Sequence, residues 1–198
     1  MSFGFSALFA RMNYIDRWGL MRNSRKESLS EHSAIVSGIA HVLAVSAREM
    51  FGADDVRPEH VATAALYHDL GETLTGDMPT PVKYRNESIR MSYKAVEKEA
   101  EDQILQMLPE PLRDEIGTCV KGTDLTDRER QIIKSADKLS ALLKCIEEKQ
   151  SGNMEFVSAE KSTMESLEKM DLPELKYFIR EFLPSYYLTL DELLGKEL

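Results

Sequence analysis

Apolar positions recur along this chain at steps of three and four, with no sustained alternation of period two, and that pattern predicts helices almost throughout. A short helix is expected from Phe5 to Met12. A long one follows from about Leu29 to Met50, where Val36, Ile39 and Leu43 keep one face apolar up to the turn-rich Gly52-Ala53-Asp54-Asp55. Ser28 and Glu31 have capping-box spacing at its start. A third helix from about Pro58 to Leu70 stops at Gly71, which suits a left-handed cap. The segment Glu72 to Lys83 holds Gly76, Pro79 and Pro81 and reads as a loop. Beyond it Ile89, Tyr93, Val96, Ala100, Ile104 and Met107 mark one long amphipathic helix that ends at Pro109. Thr126 with Glu129 forms a second capping box ahead of a helix from Ile132 to Glu148. Ser151-Gly152-Asn153 is a turn, and Pro173 and Pro184 bracket a further helix. With no repeat, low-complexity segment or linker in view, the expected fold is all-α, a compact multi-helix bundle forming a single domain over residues 1–198.

Composition narrows the class. A chain of 198 residues, 42% apolar, can bury one sizeable core without dividing in two. No run approaches the roughly 20 apolar residues of a membrane span. The N-terminus has no basic segment, apolar core and small-residue cleavage site, so export is not expected. Cys119 and Cys145 lack CxxC spacing and read as reduced, packed thiols. A cytoplasmic location and no membrane partner are the corresponding expectations. The ten methionines read as pliable core filler, and His41 and His60 as ordinary side chains. A net charge of -9 disfavours a nucleic-acid polymer as partner, because such binding needs clustered Lys and Arg. A small phosphate ester is still admissible, since a metal and one Arg inside a pocket can hold it whatever the outer charge.

The candidate chemistry lies on three of the expected helices. His68 continues the buried stripe of Val61 and Ala65, and Asp69 follows it beside Ala65 and Leu66. His32 begins the stripe of Val36, Ile39 and Leu43. Asp137 lies among Ile133, Ala136 and Ser140, where an unpaired carboxylate would cost several kcal/mol. Singly, His32 reads as a core histidine near a cap and Asp137 as half of an ion pair. Jointly, imidazole nitrogens with carboxylate oxygens are the donor set of a divalent transition ion in a hydrolytic site.

The order His32, His68-Asp69, Asp137 resembles the HD-domain metal-dependent phosphohydrolases. The likeness extends over nearly the whole chain to the bacterial 5′-deoxynucleotidase branch, through Arg17-Trp18, Leu20 to Asn23, Ser30-Glu31-His32-Ser33, Tyr67-His68-Asp69, Thr75-Gly76-Asp77, Pro79-Thr80-Pro81-Val82-Lys83-Tyr84 and Pro184-Ser185. The resemblance implies an enzyme that binds one or two metal ions through these His and Asp residues, acts on deoxyribonucleoside 5′-monophosphates and forms a homodimer. The ion expected is divalent, such as Co, Mn or Zn, with its identity open.

Further residues have readings of their own. Glu72, four after His68 and three after Asp69, comes within a helical turn of the candidate ligands and can orient or deprotonate a water; its plain alternative is an exposed carboxylate at a helix end. Arg17 can clamp phosphate in bidentate fashion, and Trp18 offers a flat wall to a deoxyribose without a partner for a 2′-hydroxyl. Their plain reading is a surface salt bridge and a half-buried aromatic. Asp77 fits a turn beside Gly76, but the resemblance implies that Asp77, Met78, Pro79 and Thr80, with His32 and Asp69, contact the nucleotide, and that Asp77 also serves the sugar or leaving oxygen. Lys83 either adds charge at the phosphate or is simply solvated. The four ligands alone also fit a cyclic-nucleotide phosphodiesterase, a triphosphohydrolase or a guanosine-polyphosphate hydrolase; a non-catalytic nucleotide sensor is the alternative from a different class, against which intact Glu72 and all four ligands argue.

Overall fold

In the computed structural model, which describes residues 2–195, every regular element is helical, and an isolated bridge pairs Asp16 with Ser28. The helices are α1 (Phe5–Ala10), α2 (Leu29–Phe51), α3 (Pro58–Tyr67), α4 (Glu72–Thr75), α5 (Thr80–Lys83), α6 (Glu87–Gln106), α7 (Glu110–Lys121), α8 (Asp127–Gln150), α9 (Val157–Glu168), α10 (Pro173–Glu181) and α11 (Leu190–Leu193). Short 3-10 turns over Arg11–Tyr14, Met154–Phe156 and Leu183–Tyr187 join them.

Both expected capping boxes are formed. Ser28 and Glu31 cap α2, and Thr126 and Glu129 cap α8, each side chain satisfying a backbone N–H that the helix start leaves unpaired. These caps register the two longest helices, whose apolar faces meet in the main core. Val36, Leu43, Ala47, Ile132, Leu139 and Leu142 are buried there with Val61 and Ala65 of α3 and Leu175 of α10. A smaller cluster joins Phe5, Met12, Leu29, Leu70 and Ile104. Each such leucine contributes about 1.5–3 kcal/mol by leaving water, so apolar packing alone is of the size needed to hold the helices. By length and composition α2 is apolar enough to cross a membrane, although its sequence shows no unbroken apolar run. One face of it packs against α3, α8 and α10, while Ile35 and Val42 on the other side are exposed.

Several boundaries differ from the sequence expectation. The first helix ends at Ala10, and a 3-10 turn continues to Tyr14. α3 ends at Tyr67 rather than Leu70, and His68 is its C-cap residue. Gly71 is right-handed, at φ −57° and ψ −31°, and is not the left-handed cap. A Cβ there would lie 3.4 Å from the Glu97 carbonyl of α6, at ordinary contact distance. The stretch from Glu72 to Lys83 is not a plain loop, because α4 and α5 each complete one turn on either side of Gly76, which sits at φ 77°. Methionine is also not uniformly core filler: Met12 is fully buried, but Met50, Met91 and Met154 are exposed.

Candidate metal centre and active site

The capped start of α2 sends His32 inward, where its side chain is fully buried. Its Nδ1 lies 3.1 Å from Ser140 Oγ of α8, and its Nε2 lies 3.2 Å from Asp137 Oδ1 and 3.6 Å from Asp69 Oδ2. At the end of α3, His68 Nδ1 donates to the Ala65 carbonyl at 2.7 Å. A carbonyl can only accept, so the neutral ring keeps its lone pair on Nε2, which sits 3.1 Å from Asp69 Oδ2. Both buried Nε2 atoms lack a properly directed hydrogen bond. Donor atoms of His32, His68 and Asp69 all lie within 4.8 Å of one another, while Asp137 joins the group through His32. Two unpaired imidazole nitrogens facing carboxylate oxygens fit a divalent cation by chemistry and by spacing.

The electrostatics agree. Burial opposes the charged form of His68, yet Asp69, Asp137 and the Ala65 carbonyl outweigh it and lift the imidazole pKa to about 9. Burial likewise opposes ionisation of Asp69 and Asp137, and the histidines reverse the balance, holding Asp69 well below the usual carboxylate range and Asp137 below it as well. A pocket that retains a proton so firmly favours a cation in its place. Glu72 goes the other way: burial, then Asp69 and Asp77, push it up to about 9 against Arg17 and Lys83. Its Oε2 is buried without a partner, and Lys83 Nζ lies 4.0 Å from Oε1. Lys83 is committed mainly to Glu97, at 2.8 Å, so it is neither free for phosphate nor simply solvated.

Arg17 and Trp18 lie on the irregular segment before α2. Trp18 adopts φ 60°, a left-handed conformation that costs a non-glycine residue about 1–2 kcal/mol. One carboxylate oxygen compensates: Glu27 Oε2 accepts from Trp18 Nε1 at 2.9 Å and from Arg17 Nε at 3.3 Å. Arg17 Nη1 reaches to 3.5 Å from Asp69 Oδ2, and the Trp18 ring packs on Phe156 with centroids 5.3 Å apart. The burial that opposes the charge on Arg17 is outweighed by Asp69, Asp77, Asp137 and Glu27, which raise its pKa.

A cavity of 660 Å³ opens beside the cluster, lined by Arg17, Trp18, Asp77, Pro79, Thr80 and Asp137 among others. Its far wall is built from α8 and α9, with Lys138, Ala141 and Ser162. Of the expected substrate residues, Arg17, Trp18, Asp77, Pro79 and Thr80 meet at this cavity, whereas Met78 does not line it and His32 and Asp69 stand behind it in the cluster. Glu72, expected to act on water, lines neither this cavity nor the smaller space on the other side of the cluster. His60 pairs with Asp124 at 3.0 Å, away from the centre, and His41 is exposed. Sequence reasoning missed Glu27, which sits in an aperiodic stretch, and the hydroxyl contact of Ser140. It also missed the fully buried Lys144–Glu148 pair, although its i,i+4 spacing was a usable signal.

Comparison with known proteins agrees with this geometry. The family model described as 5′-deoxynucleotidase YfbR-like matches residues 4–186. A 5′-deoxynucleotidase of Vibrio atlanticus is 44% identical over 189 residues, covering 96% of this chain and 97% of the relative. Among solved structures, an HD-domain phosphohydrolase from Listeria innocua superimposes with a TM-score of 0.79 at 25% identity, covering 94% of this chain and 89% of the other. The cyanophage S-2L HD phosphohydrolase DatZ, bound to dA and one catalytic Zn2+ ion, shares the fold with a TM-score of 0.65 at 20% identity, over 93% of this chain and 97% of that one. The histidine and aspartate cluster, the cavity beside it and these matches over nearly the full length have one reading: this chain belongs to the YfbR-like 5′-deoxynucleotidase family.

Proposed function

We propose that this chain hydrolyses deoxyribonucleoside 5′-monophosphates to deoxynucleoside and inorganic phosphate, with a divalent ion held by His32, His68, Asp69 and Asp137. The observation that carries the reading is the convergence of two unpaired buried Nε2 atoms with Asp69, next to a cavity walled by Arg17 and Trp18. An ion bound there supplies Lewis acidity to the phosphoryl oxygens and acidifies water. A transition ion such as Co, Mn or Zn suits the mixed nitrogen and oxygen donors. Ser140 and the Ala65 carbonyl orient the two imidazoles. Arg17 faces the phosphate, preset by Glu27. Glu72 lines neither cavity but lies near Asp69 and Asp77, and from within the protein it passes a proton of the attacking water, whose oxygen bonds to phosphorus as the P–O5′ bond breaks and O5′ gains a proton. Trp18 packs on the deoxyribose, and Asp77, Pro79 and Thr80 line the path of the sugar and leaving oxygen. A homodimer in the cytoplasm, with residues 1–198 as one domain, belongs to the same reading. The exposed Ile35, Gly38 and Val42 on α2 support the pairing, and sedimentation at the mass of one chain overturns it.

The test is phosphate release by chelated protein supplied with Mn, Co, Mg or Zn in turn, on matched deoxy- and ribonucleoside monophosphates. Activity is expected to return with a transition ion, to favour the deoxy sugar and to vanish in Asp69→Ala. Because the core is apolar, chelation should leave the helical circular dichroism unchanged. Turnover insensitive to chelation, or equal in Asp69→Ala, removes the metal from the reaction. Equal turnover of both sugars removes the role of Trp18.

A further inference from the structure

The cluster is open on two sides. Besides the cavity that carries Trp18, a second one of 340 Å³ reaches His68 and Asp137 between α3, α7 and α8. Asp137 is the one lining residue the two share. The linings differ in kind. The larger cavity has an aromatic wall and a row of small and hydroxyl residues. The smaller has no aromatic side chain, and Lys121, Arg130 and Lys134 stand at its exposed edge. Lys121 is paired with Asp102, and Arg130 donates to the Gly122 and Leu125 carbonyls, which holds the turn between α7 and α8 at the rim. Lys134 makes no ion pair among the described residues. The other carboxylate in this lining, apart from Asp137, is Glu101, whose pKa is raised by burial and by Glu97.

Two openings on opposite sides of the cluster suit in-line hydrolysis. The attacking oxygen approaches phosphorus from the side opposite the leaving O5′. A deoxynucleoside stacked on Trp18 stands between the cluster and the mouth of the larger cavity, so phosphate freed at the cluster lies behind it and the smaller cavity offers a separate way in and out. We propose that the smaller cavity is the passage for water in and inorganic phosphate out, with Lys134 as the cation that receives the departing phosphate. This rests on the hydrolase reading above. Its consequence is that the two products leave independently, by different faces.

The test uses the metal-loaded enzyme with inorganic phosphate as the probe, once as a product inhibitor and once by calorimetric titration. In Lys134→Glu, phosphate binding and inhibition are expected to weaken by at least about fivefold, since a cation becomes an anion at the mouth. KM for dAMP and inhibition by deoxyadenosine should stay within about twofold, because they report the other cavity. Lys134→Arg should restore phosphate binding. If Lys134→Glu leaves phosphate affinity unchanged, or shifts KM in parallel with it, the passage is overturned. A wild-type enzyme that releases no phosphate from any deoxynucleotide overturns the hydrolase reading and the passage with it, whereas normal turnover with phosphate affinity unchanged in Lys134→Glu overturns the passage alone.

Discussion

Glu27 Oε2 accepts hydrogen bonds from both Arg17 and Trp18, so one buried carboxylate sets the side chains proposed to meet the phosphate and the sugar. Hydrogen bonds to a charged group are worth about 1.5–3 kcal/mol, and the strained backbone at Trp18 depends on them. Glu27→Ala should therefore lower kcat/KM on the order of tenfold to a hundredfold, with KM rising, while a divalent ion still binds. Trp18 is the sole tryptophan, so its emission reports the same loss directly. Unchanged emission together with unchanged KM would show that Glu27 positions nothing. Residues of the centre differed in how far the sequence betrayed them. His32, His68, Asp69 and Asp137 were readable because helical spacing turns a linear pattern into a face. Glu27 and Ser140 were not, since each acts through one contact made across the fold and neither lies on a distinctive motif.

The segment from Arg17 to Ser28 has little regular structure, so it must be pinned by contacts, and the end of α8 provides them. Glu148 accepts from the Ser24 and Arg25 backbone N–H groups at 2.8 and 3.3 Å, from Asn153 Nδ2 at 2.8 Å and from Lys144 Nζ at 2.5 Å. Burial opposes its charge, but these donors prevail and hold its pKa below the usual carboxylate range. A depressed folded pKa adds stability that is complete above the unfolded value, near 4.5, and is lost as pH falls below it. Denaturant midpoints should accordingly hold between about pH 7 and 5 as far as this group is concerned, then drop under about pH 4. Glu148→Gln should flatten part of that drop. At neutral pH it should cost roughly 3–5 kcal/mol, because Lys144 is left buried with its charge uncompensated. An acid limb identical in the variant would dismiss this anchor. Among the helices, α2, α6 and α8 were legible from strong stripes and capping residues. α7 and α9 were not singled out, and their buried faces are thin: Gly117 and Val120 in one, Leu167 in the other. Gly71 misled because glycine after a helix suggests a left-handed turn, whereas here the chain runs through it in a right-handed conformation into α4.

A chain with net charge -9 that takes a dianionic substrate has to reconcile a repulsive envelope with an attractive centre. Arg17 does not tip the local balance, since Asp69, Asp77, Asp137 and Glu27 all act on it. On the proposed reading, attraction comes from a bound divalent ion and from single cations such as Lys138 in the cavity wall, and it works at short range. The envelope works at long range, and salt separates the two. At about 10 mM salt the Debye length is roughly 30 Å and the whole surface is felt, whereas at about 150 mM it shrinks to roughly 8 Å and only the cavity matters. For a deoxynucleoside monophosphate, kcat/KM should therefore rise with salt over this range, by about twofold, as the repulsion is screened. A nucleic-acid-binding surface would show the opposite sign, losing affinity steeply. Steady-state rates at subsaturating dAMP across that series, at constant metal, give the slope. A falling kcat/KM would mean that the cations around the cluster project beyond the cavity and outweigh the remainder of the surface.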